Sequence, residues 1–121
     1  MWKYQQSTAK LLSPTGIITT FGWAGQRDSK NNHDMQNVHG VGPLPVGEYT
    51  IGAPHDSPHT GPYTMNLTPD PSNEMFGRSD FRIHGASKTN PELSSEGCII
   101  QPREIRENIW NSGDHSLEVI A

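Results

Sequence analysis

Two short segments of the chain carry residue types that can do acyl chemistry together: Arg82-Ile83-His84-Gly85 and Ser95-Glu96-Gly97-Cys98-Ile99. Cysteine attacks a carbonyl carbon as its thiolate, and an unperturbed thiol ionises only near pH ~8.5. An imidazole beside the sulfur can take that proton and deliver an attacking thiolate near neutral pH. His84 is the candidate base, and Cys98, the single cysteine of the chain, is the candidate nucleophile. Acyl transfer also needs donors aimed at the developing oxyanion. Gly97 lets the backbone approach closely, so the amides of Gly97 and Cys98 are candidate donors. Gly85 supports the histidine turn, and Ser95 can orient the imidazole or its loop. A lone cysteine is otherwise a small buried hydrophobe, and a strand-end histidine is usually solvated or hydrogen-bonded. Spacing alone leaves both readings open. No metal or cofactor is expected. The six histidines are dispersed along the chain, and one cysteine cannot build a zinc finger.

These residues need elements to hold them. In Phe81-Arg82-Ile83-His84, strand alternation puts Phe81 and Ile83 on one face and Arg82 and His84 on the other. Cys98-Ile99-Ile100 reads as a short buried strand. Trp2 and Tyr4 alternate with polar neighbours. Leu11-Leu12 and Ile17-Ile18 flank the turn Ser13-Pro14-Thr15-Gly16, which predicts a β-hairpin. Residues 22–45 read as a long surface loop suited to binding. Strands are expected at Glu48 to Ile51, Tyr63 to Leu67 and Ser116 to Ile120, with loops over 53–62 and 68–77. One helix is expected over 102–111, with Pro102 in its first turn, Ile105 and Ile109 on one face and Gly113 as the stop. The fold class is mostly β, with one short α-helix near the C-terminus.

Composition agrees with one domain spanning 1–121. Gly and Pro supply 22 of 121 residues, above the ~12% of average proteins, and their even spread marks many turns between short strands. The net charge of −4 comes with nine scattered Lys and Arg, so no basic patch supports nucleic-acid binding. Met1-Trp2-Lys3-Tyr4-Gln5-Gln6 lacks the apolar core of a signal peptide. No apolar run approaches the ~20 residues that span a bilayer, so membrane insertion is not expected.

The segment Ile83-His84-Gly85 … Ser95-Glu96-Gly97-Cys98-Ile99 resembles the active-site signature of L,D-transpeptidase (YkuD-like) catalytic domains. There a His-Gly pair precedes Ser-x-Gly-Cys-Ile at about this spacing. Likeness to one subgroup extends over nearly the whole chain: Trp2 to Thr8, Lys30-Asn31-Asn32 with Met35-Gln36, Gly42 to Tyr49, Gly77 to Phe81, and Arg103 to Gly113. That subgroup is the Tlde-type domain of type VI secretion effectors, which attack the peptidoglycan of rival bacteria.

The resemblance implies a small L,D-transpeptidase-like β-sandwich or barrel. It implies that Cys98 attacks the carbonyl joining meso-diaminopimelate to the terminal D-alanine of a tetrapeptide stem, with His84 as base and then acid. Water as acceptor makes an L,D-carboxypeptidase; a free D-amino acid as acceptor exchanges the terminal residue. Tetrapeptide stems, a cognate immunity protein and a component of the secretion apparatus are the implied partners. The implied route runs from synthesis in the cytoplasm, without a signal peptide, to the periplasm of a target bacterium. Ordinary L,D-transpeptidases carry His before the Gly-Cys pair and Arg two residues after the cysteine, where this chain has Glu96 and Ile100. That leaves Arg106 and Arg78 as candidates to bind the stem carboxylate. Two other readings stand beside this one: a non-catalytic peptidoglycan-binding module, and a cysteine hydrolase with another peptide substrate.

Overall fold

The computed structural model describes residues 1–25, 31–86 and 97–121. Ten strands and one α-helix follow in order: β1 Trp2–Gln5, β2 Lys10–Leu12, β3 Ile18–Phe21, β4 Trp23–Ala24, β5 Gly47–Ile51, β6 His55–Ser57, β7 Gly61–Pro69, β8 Arg82–His84, β9 Ile99–Ile100, α1 Arg103–Asn111 and β10 Ser116–Ile120. Hydrogen bonding joins them in the order β3-β2-β1-β10-β5-β7-β8-β9-β4, with β6 paired to β7 off this path. The outer strands of that path, β3 and β4, are consecutive in the chain and separated by Gly22 alone. A flat sheet could not have its two edges joined by one residue, so the sheet curls into a half-barrel. A Cβ at Gly22 would stand 1.7 Å from the Ile100 carbonyl oxygen, so only glycine fits this corner.

Alternation drives the core. In β1, Trp2 and Tyr4 are buried while Lys3 is exposed. β1 runs parallel to β10 with Trp2 opposite Leu117 and Tyr4 opposite Val119, and β10 pairs antiparallel with β5, setting Leu117 opposite Tyr49. The core thus runs along one face of the sheet through Tyr4, Leu117, Val119, Tyr49 and Met65 to Ile83 and Ile99. Helix α1 packs on β7 and β8 and buries Ile109, with Ile105 and Trp110 half-buried beside it. The β2–β3 hairpin turns where expected: Ser13 N–H donates to the Ile17 carbonyl and Gly16 N–H to the Ser13 carbonyl, both at 2.8 Å.

Two stretches read as loops are more structured than the sequence suggested. Within 22–45, Trp23 and Ala24 form β4 and pair with Ile100 and Ile99; two residues are too few to show alternation. The rest of that stretch is packed rather than loose. Leu44 is fully buried, and the buried Gln6 side chain donates to the Leu44 carbonyl at 2.8 Å and contacts His33 Nδ1 at 2.5 Å. Within 53–62, polar His55–Ser57 forms β6, held by backbone pairing to β7 rather than by apolar burial.

Ile83 is 1% exposed beneath the strand that carries His84. Ile83→Ala should lower the unfolding free energy by about 2–4 kcal/mol. Ile17→Ala, at a site 66% exposed, should stay within ~0.5 kcal/mol. Equal effects in urea unfolding would contradict the placement of the core.

Candidate active site

Strand β8 lies between β7 and β9. Its antiparallel register to β7 sets Ile83 opposite Met65 and Arg82 opposite Asn66. Its parallel register to β9 sets Ile83 opposite Ile99 and His84 opposite Ile100. Ile83 and Ile99 therefore face the core together, and Arg82 and His84 take the opposite face. Cys98, one residue before β9, is level with Arg82: the Arg82 N–H donates to Cys98 Sγ at 3.3 Å. The sulfur also lies 3.8 Å from the Asp80 carbonyl oxygen. Two residues fourteen apart in the chain thus sit on adjoining strands and line one cavity of about 1000 Å³.

Both are almost fully buried. His84 Nδ1 lies 2.8 Å from the Gly85 carbonyl oxygen, which can only accept, so Nδ1 carries the proton and Nε2 the lone pair. Burial holds the His84 pKa below its ordinary 6.5, and the positive charges of Arg106 and Arg82 depress it further against the Gly85 bond. The imidazole is neutral at pH 7 and available as a base.

Arg106 reaches this site from α1 and is 7% exposed. Its Nε donates to the Gln101 carbonyl at 3.0 Å, and Nη1 donates to those of Pro62 at 2.8 Å and Tyr63 at 3.0 Å. Tyr63 has φ +55°, costly for a bulky residue, and the guanidinium bond helps hold it. Nη2 makes no hydrogen bond among the described residues, and no carboxylate there pairs with Arg106. A Cβ at Gly85 would stand 2.8 Å from Nη2, so glycine there admits the guanidinium beside the histidine turn.

Arg78, also buried, spends its donors differently, on the carbonyls of Gln36, Pro43 and Gly42. Gly97 has φ +121°, and a Cβ would stand 2.5 Å from Arg78 Nη2 and 2.6 Å from Phe81 Cε1. Its carbonyl accepts from Leu44 N–H at 2.9 Å. Ser95 and Glu96 lie outside the described residues. Cys98, His84, Gly85, Arg78 and Arg106 all line the cavity, and Gly97 backs it.

Sequence reasoning missed two contributors. Arg82 supplies an N–H to the sulfur and a charge near His84, although its alternation already placed it on the histidine's face. Asp80 turns the chain with φ +64° and brings its carbonyl to Sγ; a single Asp before a strand gives no such signal. Rim histidines His39 and His59 come from distant loops. Among the described residues, no group of three or more His, Cys, Asp or Glu could hold a metal ion.

The described residues define a mostly β domain with a neutral histidine on β8 and a cysteine just before the adjoining β9, both lining one cleft. The model of the Tlde1 domain family matches residues 19–120, and the chain belongs to that family, a Tlde-type effector domain that points to type VI secretion. No curated protein and no solved structure gives a significant match. The family match begins after β1 and β2, yet β1 is the strand that flanks β10 on the side away from β5.

The depressed pKa of His84 has a consequence for stability. The unfolded chain takes up this proton near pH 6.5, while the folded chain resists it to lower pH. The stability linked to neutral His84 is therefore present above about 6.5 and falls as pH drops below it. Urea unfolding at pH 7.5 and pH 5 should show a smaller acid loss in His84→Gln than in the wild type. An equal loss would mean that His84 is not buried neutral.

Proposed function

We propose that this domain is an antibacterial cysteine enzyme that removes or exchanges the terminal D-alanine of peptidoglycan tetrapeptide stems through a Cys98 acyl-thioester. The observation that carries this reading is the shared cavity: Cys98, His84 and Arg106, whose Nη2 is unbonded among the described residues, line one space. His84 Nε2 takes the thiol proton as Sγ bonds to the stem carbonyl carbon. The tetrahedral intermediate then collapses, the C–N bond breaks, and the same proton leaves on the D-alanine amine. Water, deprotonated by His84, releases the tripeptide stem, or the amine of a free D-amino acid re-forms an amide. The amides of Gly97 and Cys98 are the oxyanion donors in this scheme.

Arg106, rather than Arg78, suits the stem carboxylate, because Nη2 is uncommitted among the described residues and a guanidinium edge matches a carboxylate. Delivery into the periplasm of a rival cell, with a cognate immunity protein guarding the producer, belongs to the same proposal. Growth arrest confined to cells that export the domain checks that part.

The direct test is product analysis on purified tetrapeptide muropeptides. The wild type should yield tripeptide stems, or exchanged stems when a D-amino acid is in excess. Cys98→Ala and His84→Ala should yield neither. Arg106→Ala should lose about ten- to a hundredfold in kcat/KM, the worth of one charge-assisted hydrogen bond, while Cys98 alkylation by a small neutral reagent is unchanged. Intact stems together with rapid alkylation would instead favour a cysteine hydrolase of other peptides. Inert stems and an inert thiol would favour a binding module.

A further inference from the structure

Arg78 precedes the strand that carries His84 and is 6% exposed. Its guanidinium is built into the protein. Nη1 donates to the carbonyls of Gln36 at 2.5 Å and Pro43 at 2.7 Å, and Nη2 to that of Gly42 at 2.9 Å. Its Cζ stands 5.0 Å from the centroid of the Phe81 ring. Nη2 also fills the space beside Gly97, where a Cβ would stand 2.5 Å away. The guanidinium is thus wedged between the 36–43 segment and the turn that presents Cys98, and Leu44 bonds that same turn through the Gly97 carbonyl.

The charge matters as much as the wedge. A guanidinium does not lose its proton in proteins, so Arg78 keeps its positive charge throughout the range in which a thiol titrates. Arg78 shares the cavity wall with Cys98 and interacts electrostatically with it. Among the described residues, the other ionisable side chains lining this cavity are Arg82, Arg106, His39, His59, His84 and Asp80. Of these, only Asp80 opposes an anion.

We propose that Arg78 is the positioning residue of the nucleophile: it fixes the Gly97–Cys98 turn against the 36–43 segment and holds a permanent positive charge beside Sγ, favouring the thiolate when His84 takes its proton. This role departs from stem-carboxylate binding. It rests on Cys98 being the reactive thiol but not on the identity of the substrate.

The test is the rate of Cys98 alkylation by iodoacetamide from pH 5 to pH 10, in folded wild type, Arg78→Lys and Arg78→Met. No muropeptide is involved, so failure of the stem-peptide reading leaves the result interpretable. Arg78→Met should move the midpoint of reactivity up by about one pH unit, a roughly tenfold loss of thiolate near neutrality. Arg78→Lys keeps the charge and should hold the midpoint close to the wild type, while its melting temperature falls because three carbonyls lose a planar partner. An unmoved midpoint in Arg78→Met, or equal shifts in both variants, overturns the proposal. If Arg78→Met does not fold, His84→Ala decides. With Arg78 in place and the imidazole gone, its midpoint should remain below the ~8.5 of a free thiol, and a midpoint at or above that value overturns the proposal.

Discussion

Parallel pairing of β8 with β9 is the constraint on which the site depends. Hydrogen bonding fixes Ile83 against Ile99 and His84 against Ile100. Because side chains alternate, the register that buries the two isoleucines also brings the histidine and the residue just before β9 to the opposite face. A slip of one residue would send His84 into the core and an isoleucine into the cleft. Apolar burial under the sheet therefore fixes where the histidine and the cysteine stand above it. The curl of the sheet serves the same end, since β4 closes over β9 from the far edge and keeps Ile99 and Ile100 buried.

Around that pair, backbone carbonyls hold the two buried arginines in place. Arg106 is bonded to three carbonyls and so is Arg78. Burying a guanidinium costs less when its donors are satisfied, and carbonyls satisfy them without cancelling the charge. Among the described residues, the cleft is lined by more basic than acidic groups, in a chain whose overall charge is −4. Such a field disfavours a protonated His84 and favours anionic species, whether a thiolate, an oxyanion or a ligand carboxylate. One arrangement thus bears on the imidazole, the thiol and any anionic ligand together.

Much of this was legible in the sequence because it rested on local pattern. The alternation of Phe81 to His84, the Ser13 to Gly16 turn and the Pro102 to Gly113 helix each carry their signal within a few residues. That Cys98 and His84 line one cavity was legible as a motif. What escaped was set by distant partners. β4 and β6 are too short or too polar to show a period, and pairing with β9 and β7 makes them strands. The 31–45 segment reads as polar loop, yet Gln6, just after β1, and Arg78, ahead of β8, anchor it through its carbonyls, which sequence does not display. The same holds for Arg106: helix periodicity gives its position, but the three carbonyls that it bridges come from Gln101, just after β9, and from Pro62 and Tyr63 in β7.

The central claim is that Cys98 carries the acyl group of a stem peptide. Intact-mass spectrometry of the wild-type domain, mixed with a D-alanine-terminated tetrapeptide stem and quenched in acid within seconds, tests it most directly. The account predicts an adduct on Cys98 equal in mass to the stem acyl group without its terminal D-alanine, and no adduct in Cys98→Ala. Loss of D-alanine from the stem with no adduct on Cys98, or an adduct that persists in Cys98→Ala, would contradict it.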